Sequence, residues 1–319
     1  MFRSLFIFLS KAAWARHLVT SWKIGWRMAA RFIAGEKIED AMSVIKALNA
    51  KGINASLDHL GEHTTHAGAA RKAASDILEA LATIQEQGVR ANVSIKLTQI
   101  GLNLDAGLCA ENLEKILTRA QELEVFVRID MEDSTVTQPT LDLLYQMWQK
   151  SYTCVGIVIQ SYLYRSEEDT RQAVQQGIPI RLCKGAYKEP ARVAYPLKRD
   201  VDSAYDRLAE IMIRESQRLG APQISKDGRF PPLVALATHD VKRIHFACQL
   251  ASSLGLPKQA LEFQMLNGIR RDLQEKLAGE GYPVRVYVPY GVEWYPYFMR
   301  RLAERPANVW FILTNFLRR

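Results

Sequence analysis

The chain has 319 residues, 48% of them hydrophobic, enough to bury a large core in one barrel-sized domain or in two smaller ones. Its 42 Lys and Arg exceed its 34 Asp and Glu by a formal charge of +8; that excess suits an anionic cofactor, an anionic membrane surface or a nucleic acid and selects none of them. Cys109, Cys154, Cys183 and Cys248 lie far apart with no CxxC pair, so the thiols read as reduced, in a cytoplasmic protein without disulfides or zinc.

The chain opens with Phe2, Trp14, Trp22, Trp26 and Phe32 interleaved with Arg3, Lys11, Lys23 and Arg31, and no acid precedes Glu36. Its longest uncharged run is far below the ~20 residues that a transmembrane helix needs. The apolar stretch from Ser4 to Ser10 imitates a signal peptide but is stopped by Lys11 at the minimum length of such a core. We therefore expect residues 1–45 to form a basic amphipathic helical arm, packed on the body or lying on a membrane surface. Residues 46–319 are expected to form the main domain.

After residue 45 no linker or repeat divides the chain, and short apolar or β-branched runs alternate with helical periodicity. The expected strands are Ile53–His59, Ala91–Leu97, Val125–Met131, Val155–Ser161, Pro179–Gly185, Leu233–His239, Leu261–Leu266 and Val284–Pro289. Helices are expected at Ala70–Gln87, Ala110–Leu123, Ser203–Leu219, Val241–Leu254 and Glu293–Glu304. Several strands read as apolar on both faces, as parallel strands under helices should. Eight consecutive βα units predict an α/β fold, a (β/α)8 barrel of the TIM type. An open doubly wound sheet would place a GxGxxG after its first strand, and Asp58-His59-Leu60-Gly61-Glu62 stands there instead.

In such barrels the chemistry sits at the carboxyl ends of the strands. Those ends carry Asp58, Lys96, Asp130, Gln160, Arg181 with Lys184, Thr238 with His239, Gln264 and Tyr287. Gly185, next to Arg181 and Lys184, permits close approach of an anion or a planar ring. Lys96 suits an ion pair with Asp130 or, if desolvation lowers its pKa, a Schiff base as in barrel aldolases. On the last helix, Tyr297, Arg300, Arg301 and Glu304 share one face. That face fits a carboxylate receptor and equally a surface helix with an Arg–Glu pair; spacing alone does not separate the two. His59, His63 and His66 invite a metal reading, but no HExxH accompanies them and no metal is expected. No Ser-His-Asp order, P-loop or nucleic-acid motif is visible, so no nucleic-acid partner is expected.

Nine short motifs occur in order: SLDHLGE at Ser56–Glu62, VSIKL at Val93–Leu97, RIDMED at Arg128–Asp133, IQSY at Ile159–Tyr162, RLCKGAY at Arg181–Tyr187, ATHD at Ala237–Asp240, EFQML at Glu262–Leu266, VRVYVP at Val284–Pro289 and YFMRRLAE at Tyr297–Glu304. Together they resemble the proline dehydrogenase family, in its short monofunctional bacterial form, over about residues 50 to 305. The resemblance implies a distorted (β/α)8 barrel that binds FAD at the carboxyl ends of its strands. It implies Arg181 at the flavin N5 edge and Gln160 on the isoalloxazine. Lys184, Gly185, Ala186 and Tyr187 would border the cofactor, with Thr238, His239 and Glu304 also on it.

Substrate would be held by Lys96, Tyr287, Tyr297, Arg300 and Arg301, with Leu266 on the proline ring and Asp130 orienting Lys96. Glu62 would pair with Arg300 as a gate. Arg181, Lys96, Tyr287, Arg300 and Arg301 would be the catalytic set. The implied activity is oxidation of L-proline to Δ1-pyrroline-5-carboxylate, the first step of proline catabolism, with electrons passed to a quinone. No second catalytic domain is seen, so a separate pyrroline-carboxylate dehydrogenase is expected to consume the product. Quinone reduction gives the basic arm a use at the inner face of the cell membrane. Cys183 and the Lys188-Glu189-Pro190 tail depart from the form of the large bifunctional enzymes. A 4-hydroxyproline dehydrogenase is the nearest rival, and Tyr287 is bulky where a ring hydroxyl would need room; a Schiff-base aldolase is the more distant alternative.

Overall fold

The computed structural model describes residue 26, residues 28–61 and residues 64–304, the last two without their side chains. Eight strands, β1 Asn54–His59, β2 Ala91–Ile95, β3 Val127–Ile129, β4 Val155–Gln160, β5 Ile180–Cys183, β6 Val234–Ala237, β7 Leu261–Leu266 and β8 Val284–Tyr290, pair in parallel in chain order. β8 closes the barrel on β1, with Asn54 opposite Arg285 and His59 opposite Tyr290. All eight lie where the apolar runs predict them. The helices are α1 Ile38–Asn49, α2 Ala67–Glu86, α3 Ala106–Glu122, α4 Thr137–Gln149, α5 Ser166–Gln175, α6 Lys198–Arg218, α7 Val241–Ser253, α8 Arg271–Gly279 and α9 Trp294–Glu304. Polar side chains set several starts: Asp105 Oδ1 accepts from Leu108 N at 2.7 Å, and Asp240 Oδ1 from Lys242 N at 3.1 Å.

The expectation that several strands are apolar on both faces holds for β4 and β6, where Val158 and Ala235 stand level with Arg181, and is corrected for the others. One face of each strand (Leu57, Val93, Ile95, Val127, Ile157, Leu182, Phe263, Val286) joins the core under the helices. The other turns into the lumen and is largely polar. Arg181 of β5 reaches Ser56 of β1 and Ser94 of β2 at 3.2 and 3.1 Å, contacts between strands far apart around the barrel that only a shared interior allows. Polar residues are tolerated there because most of their groups find partners, which offsets the cost of removing them from water.

The amino-terminal end of the barrel is sealed by the loop before β6. Gly228 O accepts from Arg285 Nη2 at 2.7 Å, and Arg229 O from Asn92 Nδ2 at 3.3 Å. Gly228 has φ +70°, and a Cβ there would lie 2.3 Å from Asn54 Oδ1, so the plug needs glycine.

The boundary expected at residue 45 falls inside α1, whose Ala41, Met42 and Ile45 are buried in the barrel core. Each fully buried Met or Ile contributes about 1.5–3 kcal/mol, so this helix is part of the barrel's outer layer. Preceding it, Ala29, Phe32 and Ile33 form a second apolar cluster with Leu60 and with Trp294, Tyr295, Phe298, Met299 and Leu302 of α9. Ala34 N donates to Pro289 O at 2.9 Å and Gly291 N to Gly35 O at 3.0 Å. The last stretch of the expected arm is thereby bound to the end of β8 and to the helix above it; residues 1–25 lie outside the described residues.

Candidate active site

At the carboxyl end of the barrel, alternate residues of five strands converge on a buried charge cluster. Lys96 Nζ donates to both oxygens of Asp58, at 3.0 and 3.2 Å, and lies 3.9 Å from Asp130 Oδ2. Asp130 instead accepts from Arg181 Nη1 and from the Tyr287 hydroxyl, each at 2.8 Å. The expected pairing of Lys96 with Asp130 is present at 3.9 Å, and a second, nearer carboxylate is Asp58. The reason is register, which sets Asp58 beside Ser94, two residues before Lys96 on the adjacent strand.

Burial opposes the charge of Lys96, but Asp58 and Asp130 outweigh it, and the ammonium is held above its ordinary pKa. Burial, then Asp130 and Asp58, raise the Tyr287 phenol well above its ordinary value, against a smaller opposing pull from Arg181. A Schiff-base lysine needs a lowered pKa, so Lys96 is unsuited to aldolase chemistry. Lys184 is no better placed, because it is bound between Asp202 at 2.5 Å and Asp240 at 2.8 Å. That pairing joins the end of β5 to α6 and α7, at the rim of the cluster.

Arg181 lies beneath the mouth, 6% exposed, with its guanidinium 5.5 Å from the Tyr287 ring centroid. Its Nε donates to Gln264 Oε1. At the end of β4, Gln160 donates to Met131 O at 3.3 Å, while its own Oε1 is buried without a hydrogen-bond partner. A buried amide oxygen in that state fits a ligand that brings an N–H donor. Gly185 follows at φ +107°, and a Cβ there would stand 2.4 Å from the Tyr162 ring, so the backbone there stays bare. His239 Nε2 accepts from Leu266 N at 3.2 Å, and Thr238 Oγ1 accepts from Asp240 N at 3.0 Å.

α9 packs over this end. Tyr287 rests against its apolar cluster, and within the helix Arg301 stacks 5.0 Å from the Tyr297 ring centroid. Tyr297 is buried, and Arg300 and Arg301 are half-buried. The gate residue Glu62, and the side chain of Glu304, lie outside the described residues. Of the three histidines weighed as metal ligands, His66 caps α2 by accepting from Ala69 N at 3.1 Å, His59 lies against Tyr290 with ring centroids 5.0 Å apart, and His63 lies outside the described residues.

Sequence reasoning left Asp58 and Gln264 as strand ends without roles and did not single out Ser56, Ser94, Glu262 or Arg285. The signal that finds them is the strict alternation of polar residues, Asn54-Ser56-Asp58, Asn92-Ser94-Lys96, Glu262-Gln264 and Arg285-Tyr287, which marks one face of each strand as lumenal.

A closed parallel barrel with paired ions and a tyrosine at its carboxyl end, under an arginine-bearing helix, defines a barrel enzyme with a buried site for a small anionic or zwitterionic ligand. Comparison narrows this. The family model for proline dehydrogenase matches residues 41–313, and the chain belongs to the proline dehydrogenase family. It is 40% identical over 310 residues to proline dehydrogenase 2 of Bacillus subtilis, covering 97% of this chain and 96% of that protein. It is 40% identical over 297 residues to proline dehydrogenase of Deinococcus radiodurans, covering 92% and 91%. Among solved structures, proline utilization A of Bdellovibrio bacteriovorus inactivated by N-propargylglycine superposes with a TM-score of 0.78 at 26% identity. That match covers 88% of this chain and 33% of the larger protein.

Proposed function

We propose that the protein oxidises L-proline to Δ1-pyrroline-5-carboxylate with FAD as its cofactor. The observation that carries this reading is the cluster in which Lys96, Asp130, Arg181 and Tyr287 meet at the barrel mouth, in a chain of this family. The unpartnered Gln160 oxygen and the bare backbone at Gly185 suit a planar heterocycle that presents an N–H. Gln160, Arg181, Lys184 to Tyr187, Thr238, His239 and Glu304 would hold the cofactor. FAD, when bound, supplies the acceptor for a hydride.

The substrate is a zwitterion, so its carboxylate must be neutralised in a buried site. Lys96, Arg300 and Arg301 can do so through charge-assisted hydrogen bonds, bidentate for the guanidinium groups. Leu266 and Tyr287 flank the ring, and the clamp sets the ring carbon beside nitrogen for hydride departure, largely a matter of position. The nitrogen lone pair forms the C=N bond as the hydride leaves, and the resulting iminium sheds its N–H proton to give the product. Lys96 is held as a cation and Tyr287 as a neutral phenol, so neither takes a proton from the incoming amine. Proline therefore binds with its amine already neutral. α9 and its apolar cluster keep water from the site.

Electrons would pass on to a quinone, with the basic amino-terminal segment lying at the inner face of the membrane. No described helix is long and apolar enough to cross one. A separate pyrroline-carboxylate dehydrogenase would consume the product. An assay of L-proline and 4-hydroxyproline with an artificial electron acceptor tests the reading: proline-dependent turnover is expected, with 4-hydroxyproline slower because of Tyr287. Activity on neither, after FAD is added, would refute it.

A further inference from the structure

We infer that Gln264 is a positioning residue: with Glu262 and Arg285 beneath it, Gln264 fixes the guanidinium of Arg181 at the barrel axis and thereby sets the redox poise of the cofactor above. The inference rests on the reading that Arg181 faces the flavin.

The chain of contacts begins at the sealed end of the barrel. Arg285 Nε and Nη2 donate to the two oxygens of Glu262, each at 3.0 Å, with both side chains at 0% exposure. Arg285 is itself fixed by Ala55 O at 2.8 Å and Gly228 O at 2.7 Å. Gln264 Nε2 donates to Glu262 Oε1 at 2.5 Å, and Gln264 Oε1 accepts from Arg181 Nε.

The direction of this chain is chemically forced. A carboxylate paired with an arginine offers only acceptors, so the Gln264 amide must turn its NH2 down to Glu262 and its oxygen up. That oxygen then meets the one Arg181 N–H on the lower side of the guanidinium. Ser94, Ser56 and Asp130 take N–H groups from the other two nitrogens, so all three guanidinium nitrogens are held, from β1, β2, β7 and the residue after β3. Glu262 balances Arg285, and the amide passes on an acceptor without a second negative charge. Arg181 therefore keeps its positive character toward the mouth, apart from what Asp130 offsets. A carboxylate in place of Gln264 would have faced Glu262 directly at a severe cost. A glutamine meets both demands.

Gln264 is buried and reaches Arg181 and Glu262, so its replacement separates positioning from binding. In Gln264→Met, kcat should fall about tenfold, while KM for proline stays within about threefold because Lys96, Arg300 and Arg301 are untouched. The two-electron potential of the bound flavin should fall in parallel, a tenfold change in equilibrium corresponding to about 30 mV. In an Arg181→Met background the same substitution should add nothing, since the residue acts through Arg181. Gln264→Asn keeps an amide and leaves the Glu262–Arg285 pair intact, but it is one methylene too short to reach Arg181 and Glu262 together, so it should fold and should also lower the potential. If Gln264→Met does not fold, Gln264→Asn alone decides. A native potential in either folded variant, or an undiminished Gln264→Met effect without Arg181, overturns the inference. Failure of the underlying reading would appear earlier and separately, as wild-type protein that retains no flavin.

Discussion

Lys96 and Tyr287 are held in their protonated forms by their neighbours, which fixes what the site can do with a proton. Because folding raises the Lys96 pKa, its ionic contribution to stability is fully present below the unfolded value of about 10.4 and is lost only as pH rises through the higher folded value. Neither group titrates between about pH 6 and about pH 9. We predict that kcat/KM rises with pH across that range, following deprotonation of the proline amine. Lys96→Met should lower kcat/KM throughout without moving the midpoint of the rise. A flat wild-type profile, or a midpoint that shifts with the substitution, would show that a protein group takes the proton. Arg301 belongs to the same scale. Its half-buried guanidinium on Tyr297 makes Arg301→Met cost about 2–4 kcal/mol of carboxylate binding, read as a rise in KM for proline of about 10²-fold. A change below about threefold would remove Arg301 from the site.

At the scale of elements, the mouth depends on packing that lies outside it. α9 carries Arg300 and Arg301, the proposed carboxylate clamp, and is seated on Phe32 and Ile33, with the Phe32 and Phe298 ring centroids 6.4 Å apart. Phe32→Ala should lower stability by about 3 kcal/mol in urea unfolding and raise KM for proline more than it lowers kcat, because the clamp loosens while Arg181 stays fixed. An unchanged KM would detach the helix's seating from substrate binding. At the opposite end, Gly228→Ala forces a side chain into a left-handed backbone and against Asn54. A loss of about 1–3 kcal/mol is expected, with KM for proline unchanged, since the plug lies at the far end of the barrel. A native unfolding midpoint would contradict the account of the plug.

For the whole molecule, the strand count, order and closure were legible in the sequence because each βα unit repeats one pattern of apolar run, polar end and helix. The residues at the strand ends were legible for the same reason. Partners were not. Lys96 and Asp130 end neighbouring strands, yet Lys96 meets Asp58 more closely, because the stagger of β1 against β2 decides which carboxylate is nearer. The lumenal chain from Arg285 to Arg181 was hidden for a related reason: it joins strands that are distant in sequence and meet only when the barrel closes. The seating of α9 on Phe32 was hidden too, because a basic aromatic segment before the first strand reads equally as a membrane-facing arm. Its apolar side turns out to be shared with α9.

The proposed activity requires that this barrel place L-proline against a bound flavin. Mixing FAD-loaded protein with L-proline in the absence of oxygen and following the flavin absorbance tests it most directly. Bleaching that saturates with proline, and that Arg301→Met shifts to higher proline concentration, is the predicted result. Protein that retains no FAD, or flavin that stays oxidised at saturating proline, would contradict it.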